Sequence, residues 1–123
     1  METTEIKVIF DGQTALDEEK GVRYPVNGNY AGKTKLVPGD ILYLTLGDAG
    51  LFFKLISSAP RKTAIAELAF LEGRLCAVVD GFALRVLTCV ISFFKAKEGD
   101  RVIIIYNPNI MTFCAIEGKI ELL

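Results

Sequence analysis

The chain has 123 residues, of which 51% are hydrophobic and 24% are charged, and its formal net charge is −1. A chain of this length forms one domain that buries a core without metal or disulfide help, and the composition is typical of a globular protein. The small net charge excludes a global basic field that would attract nucleic acid or an anionic membrane. We therefore predict a single domain over residues 1–123.

The first third of the chain predicts two short strands and two polar loops. Residues 5–10 alternate as a strand does, whereas residues 15–21 are charged and predict a solvated loop. Residues 22–26 predict an edge strand, because Pro25 cannot donate a hydrogen bond to a ladder. Residues 27–35 are polar and rich in glycine, and they predict a long loop.

Two Gly-Asp pairs each precede an apolar run, a turn and a second apolar run. The first unit starts at Gly39-Asp40 and the second at Gly99-Asp100. Both units predict β-hairpins, over residues 41–56 and 102–116. Their shared order has two explanations: an internal duplication, or the general likeness of all hairpins.

Residues 58–95 permit two interpretations. Ser58, Pro60 and Gly73 are placed as the start and end of a helix, but an extended conformation of residues 63–71 agrees better with the neighbouring strands. Asp80-Gly81 lies between two apolar runs and is typical of a type I′ hairpin turn, with a helix after it as the competing interpretation.

We therefore predict a mainly β fold, a small antiparallel barrel or sandwich built from successive hairpins and possessing about seven to nine strands. The alternative is an α+β fold with one or two helices within residues 58–95.

The three cysteines, Cys76, Cys89 and Cys114, lie in apolar runs without the spacing of metal ligands. Free thiols in such runs behave as small hydrophobic side chains in a reducing compartment. The chain starts with polar and acidic residues, and the longest apolar run, residues 82–94, is too short to span a membrane. These features predict a cytoplasmic protein with no membrane segment, no metal site and no cofactor.

Histidine is absent. This removes the usual general base near neutral pH, the commonest metal ligand and the Ser-His or Cys-His nucleophile pair. The sequence contains no recognisable catalytic motif, so a non-catalytic protein is the first hypothesis and no catalytic residue is predicted.

The candidate ligand-binding residues combine aromatic rings, amides and positive charges in and near the segment 27–35. Tyrosines and cations interleaved on a β-barrel can stack on bases and contact phosphates. The alternative is a solvated loop whose lysines only keep the protein soluble. The candidates are Tyr24, Asn27, Asn29, Tyr30, Lys33, Lys35, Arg61 and Lys62.

Three functional hypotheses follow. We favour a β-rich interaction module that forms homo-oligomers and presents residues 27–35, with Arg61 and Lys62, to a protein partner or an anionic ligand. High hydrophobicity and the adjacent rings of Phe52-Phe53 and Phe93-Phe94 favour self-association. The second hypothesis is a small nucleic-acid-binding barrel that uses the tyrosines and cations. The third is a ligand-binding or enzymatic barrel with an internal pocket.

Overall fold

The computed structural model describes residues 4–121 and, among them, all side chains except those of Thr4, Thr88, Cys89 and Phe93. The first half contains β1 (Thr4–Phe10), β2 (Thr14–Asp17), β3 (Val22–Pro25), α1 (Gly28–Thr34), β4 (Ile41–Gly47) and β5 (Gly50–Ser57). The second half contains β6 (Lys62–Leu71), β7 (Arg74–Val79), β8 (Phe82–Val86), α2 (Thr88–Phe94), β9 (Arg101–Asn107) and β10 (Ile110–Ile120). The predicted mainly β fold is confirmed, although the described residues form ten strands where about seven to nine were predicted. Each half has the same order of three strands, a helix and two strands.

The strands form two five-stranded sheets with equivalent order. The first sheet is β3-β2-β1-β4-β5, and the second is β8-β7-β6-β9-β10. The neighbouring strands are antiparallel except for β8 and β10, which pair in parallel at Arg85 with Phe113 and at Val86 with Cys114. This parallel pair closes the second sheet into a barrel, whereas the first sheet stays open.

Pro25 offers a physical reason for this difference. It is the fourth residue of β3, and Arg85, which takes part in barrel closure, is the fourth residue of β8. Proline has no N–H to donate to a ladder and is therefore confined to sheet edges. β3 lies at an edge of the first sheet, so the edge strand predicted for residues 22–26 is confirmed.

The loop predicted for residues 27–35 is wrong, because this segment forms α1. The Asn27 side chain caps the helix by accepting a 2.8 Å hydrogen bond from the Asn29 amide. Lys35 ends it with a left-handed backbone, φ 56°, and donates its amide to the Ala31 carbonyl. The cap and the burial of Ala31 and Gly32 outweigh the low helix propensity of this polar segment.

Other expectations for the local structure have mixed outcomes. The loop predicted for residues 15–21 is wrong at its start, because β2 occupies residues 15–17 and buries Ala15. The extended interpretation of residues 63–71 is confirmed, and the helical alternative within 58–95 holds only for α2. Asp80 and Gly81 both have positive φ, 47° and 82°, as a type I′ turn requires.

Three apolar clusters hold the molecule together. One fills the barrel, and a second lies between the first sheet and α1. The third joins the halves, since Val37 and Ala59 of the first half pack on Ile105 and Ala115 of the barrel wall. The Asn107 side-chain amide also donates to the Pro38 carbonyl at 2.8 Å, so the two halves share both apolar and polar contacts.

The predicted burial of the cysteines is confirmed for Cys76 and Cys114. The side chains of Cys89 and Phe93, and the polar start of the chain, lie outside the described part. Among residues 4–121, neither helix has the length and apolar character needed to cross a bilayer.

Candidate functional site

Arg61, a predicted ligand-binding residue, is engaged in an internal ion pair. Its Nη1 and Nη2 atoms donate to Oδ1 and Oδ2 of Asp40 at 2.7 and 2.6 Å. The same guanidinium donates to the carbonyl oxygens of Ala59 and Lys35 at 3.0 and 3.2 Å. Asp40 has no exposed surface and also accepts the amide of Val37 at 3.0 Å. Arg61 therefore ties the segment after α1 to the linker between the halves.

The predicted aromatic and amide residues mostly stabilise the first half. Tyr24 and Tyr30 are half-buried against its apolar cluster, and the Tyr30 ring stacks on Phe53 with centroids 6.0 Å apart. Asn27 caps α1, whereas Asn29 is exposed. Neither tyrosine presents a fully open ring on which a base could stack.

The predicted lysines differ in their surroundings. Lys33 is exposed in the last turn of α1, and Lys62 is exposed at the start of β6. Lys35 is half-buried, and its carbonyl accepts a hydrogen bond from Arg61. Of the eight predicted residues, five thus have structural roles, and Asn29, Lys33 and Lys62 remain on the surface.

A cleft of about 690 Å³ lies elsewhere, in the second half. It lies among the β6–β7 turn, the end of β8, α2 and the segment after α2, and the β1–β2 turn of the first half reaches its rim. Its lining consists of Gln13, Phe70, Gly73, Arg74, Leu75, Arg85, Val86, Leu87, Ile91, Ala96, Lys97, Glu98 and Phe113.

Arg85 is one of the charged residues that line this cleft. It is half-buried, and its guanidinium carbon lies 4.8 Å from the centroid of the Phe113 ring. Within residues 4–121, no carboxylate forms an ion pair with it. A cation held over a ring in this way keeps its donors available for an anion.

Two further cations, Arg74 and Lys97, are exposed at the rim of the cleft. The lining contains one carboxylate, Glu98, which accepts the Phe70 amide at 3.1 Å. The lining therefore has an excess of positive charge above an apolar wall that includes Leu87 and Ile91. This combination suits an anion that also has an apolar part.

The two halves differ at equivalent positions beside the cleft. After α1 the chain continues with Leu36 and Val37, which are both buried, whereas after α2 it continues with Ala96 and Lys97. A smaller side chain replaces Leu36, and a lysine replaces Val37. The positions that are buried in the first half thus line an open cleft in the second.

Sequence reasoning missed this cleft, although one signal was present. Arg85 is the sole charged residue in the apolar run 82–94. A charge inside a buried strand needs a partner or a function. Arg74 and Lys97 gave no comparable signal, because each follows a turn or helix end where charged residues are common.

The described side chains provide little for covalent or metal chemistry. Burial, assisted by the nearby Cys76, raises the pKa of the Cys114 thiol to about 12, so it stays protonated near neutral pH. In the part of the chain that the structure describes, no group of three or more potential Cys, Asp or Glu ligands converges. The arrangement therefore supports binding through charge and apolar contact.

We compared the chain with models of known protein families and with curated protein sequences, and none of them matches it.

Proposed function

We propose that the protein is a non-catalytic binding module whose cleft binds a small organic anion with an apolar part. The observation that carries this proposal is the half-buried Arg85, which lies over Phe113 without a carboxylate partner among the described residues. The cleft volume of about 690 Å³ lies within the range of small-molecule sites.

Each part of the cleft has a role in this binding. Arg85 donates to the anionic group, and Arg74 and Lys97 add positive charge at the entrance. The apolar wall, with Leu87 and Ile91, contacts the apolar part of the ligand. Because the charged groups at the rim are exposed, affinity falls as salt concentration rises.

The test is an NMR titration of the labelled protein with three probes: naphthalenesulfonate, inorganic sulfate and naphthylmethanol. We expect saturable shifts of the Leu87, Ile91 and Phe113 amides with naphthalenesulfonate, and weaker binding of the probes that lack the ring or the charge. Arg85→Gln should weaken binding by at least about tenfold, because a hydrogen bond to a charged group is lost.

Arg101→Gln is the matched control, because Arg101 is exposed on β9 and does not line the cleft. Equal effects of the two substitutions, or no saturable shift at low salt, would contradict the proposal. Binding of a single-stranded oligonucleotide that is lost on joint Lys33→Ala and Lys35→Ala substitution would instead support the nucleic-acid hypothesis.

A further inference from the structure

The outer edge of β5 is an open sheet edge of eight residues. Among residues 4–121, β5 pairs with β4 alone. Its counterpart in the barrel, β10, has a strand on each side, because β8 covers its second edge. Such an edge presents a row of unpaired N–H and C=O groups that another strand can pair with.

The side chains along this edge are unusually apolar for an open strand. Phe52 is 56% exposed, and Leu51 and Ile56 are each 39% exposed. The strand carries a single charged residue, Lys54. Proteins usually protect open edges with charges, prolines or very short strands, and β5 has little such protection.

We propose that β5 pairs antiparallel with β5 of a second copy of this chain, which joins two open sheets into one ten-stranded sheet. An antiparallel edge is complementary to itself across a two-fold axis, so a second copy satisfies it. The other open edge, β3, is four residues long and ends at Pro25, which lacks an N–H. Association therefore stops at a dimer and does not continue into a fibre.

The hairpin register restricts how the two strands can align. Bonded and non-bonded pairs alternate along an antiparallel ladder, and the pair Gly47 and Gly50 closes the two-residue turn. Every second residue of β5, namely Leu51, Phe53 and Leu55, then points its N–H and C=O towards the open edge. A two-fold alignment that uses these groups places its axis at a residue of β5. This residue is either one of the odd-numbered residues or the even-numbered residue between two of them.

Two alignments pair the longest stretch of β5, and charge distinguishes them. An axis at Lys54 places the ammonium groups of the two copies opposite each other, which is unfavourable. An axis at Phe53 places Lys54 opposite Phe52 of the second copy, where a cation and an aromatic ring attract each other. We infer the alignment centred on Phe53.

This alignment is tested by analytical ultracentrifugation from micromolar to submillimolar protein. Wild type should sediment as a dimer at the higher concentrations. Phe52→Lys places a lysine opposite Lys54 of the second copy and should weaken dimerisation by at least about tenfold. Phe52→Glu places a carboxylate there and should retain the dimer. Adding Lys54→Glu to Phe52→Lys should restore it.

Phe82→Lys is the control, because Phe82 is 57% exposed and lies on β8 of the barrel. It should leave dimerisation unchanged. A wild-type chain that is monomeric over the whole range overturns the proposal, and so does equal weakening by Phe52→Lys and Phe82→Lys. Equal weakening by Phe52→Lys and Phe52→Glu overturns the inferred alignment. Since the cleft lies outside β5, ligand binding by a monomeric variant tests the proposed function separately.

Discussion

The two halves of the molecule share a backbone frame and differ in the side chains attached to it. In the first half, the Phe10 amide donates to the Asp40 carbonyl and the Gly39 amide donates to the Phe10 carbonyl, both at 2.8 Å. In the second, Leu68 makes the same two bonds with Asp100 and Gly99, at 2.9 and 2.8 Å. The likeness of the two halves therefore extends beyond the hairpins to the contacts that each Gly-Asp pair makes with the first strand of its half.

The aspartate that follows each of these two glycines accepts an equivalent backbone hydrogen bond in both halves, but its ion pair with a cation differs. Asp40 accepts the Val37 amide and Asp100 accepts the Lys97 amide, each at 3.0 Å. The cation differs: Arg61 forms two short bonds to the buried Asp40, whereas Lys119 lies 3.3 Å from the more accessible Asp100.

Each cation also reaches the carbonyl that ends the preceding helix. Arg61 donates to Lys35 at 3.2 Å, and Lys119 donates to Lys95 at 3.3 Å. The comparison teaches that the two halves share their backbone turns and differ in the groups around them. One half contains the buried Arg61–Asp40 ion pair, and the other contains the open cleft.

The largest difference in stability between the halves should appear when the carboxylates of Asp40 and Asp100 are neutralised. Asp40→Asn leaves Arg61 with an uncompensated charge and should lower the free energy of unfolding by about 3 kcal/mol. Asp100→Asn should have a clearly smaller effect, because Asp100 is partly exposed, whereas Asp40 is fully buried, and because its bond to Lys119 is longer, 3.3 Å against 2.6 Å. Urea denaturation of both variants measures this, and equal losses would contradict the asymmetry of the two ion pairs.

The contact between the halves should be sensitive at Gly12. This glycine has φ 111°, and a Cβ there would overlap the Phe113 ring. Gly73 also has positive φ, 78°, but no atom lies within 4 Å of a Cβ built on it. Gly12→Ala should therefore cost about 2 kcal/mol, against about 1 kcal/mol for Gly73→Ala. Thermal denaturation of the two variants measures this difference. A larger loss of stability for Gly73→Ala than for Gly12→Ala would contradict a close contact between Gly12 and Phe113.

The cleft itself should close when the second half is made to resemble the first. Ala96→Leu introduces the residue found at the equivalent position 36, where Leu36 is buried. Binding of naphthalenesulfonate should be lost, while the free energy of unfolding changes by less than about 1 kcal/mol. The reverse substitution, Leu36→Ala, should destabilise the first half by about 2 kcal/mol. Undiminished binding by Ala96→Leu would show that the cleft is not the ligand site.

The smallest of these effects should be the loss of stability in acid, to which one aspartate in each half contributes. Burial raises the pKa of Asp11, but hydrogen bonds from the Thr14 and Gln13 amides outweigh it, so the pKa is lowered from 3.8. The Lys97 amide and the nearby Lys119 lower the pKa of Asp100. Both groups therefore stabilise the fold above pH 3.8, and this stability is lost as the pH falls through their lowered pKa values.

Joint Asp11→Asn and Asp100→Asn substitution should flatten the dependence of unfolding free energy on pH between about pH 5 and pH 2. Glu117→Gln on β10 is the control, because Glu117 is exposed and makes no ion pair among the described residues. If the unfolding free energy of the double variant depended on pH as steeply as that of wild type, the assignment of the acid response to Asp11 and Asp100 would be contradicted.

Much of the succession of strands along the chain was predictable, because turns depend on residues that are close together in the sequence. The Gly-Asp pairs, Asp80-Gly81 and the alternation of apolar residues each restrict only a few neighbouring dihedral angles. The site was less predictable. Arg61 looked like a surface cation, and its role depends on Asp40, which lies far away in the sequence. Arg85 acquires its significance only when β8 pairs with β10 beside Phe113.

The sequence by itself determined the mainly β architecture and the hairpin turns, since these follow from local backbone preferences and periodicity. Tertiary structure decided that residues 27–35 form a helix, that one sheet closes and the other stays open, and where the cleft lies. These outcomes depend on packing and strand pairing between distant segments. Such contacts can outweigh local propensity, because burial and satisfied hydrogen bonds contribute more free energy than the preference of any single residue.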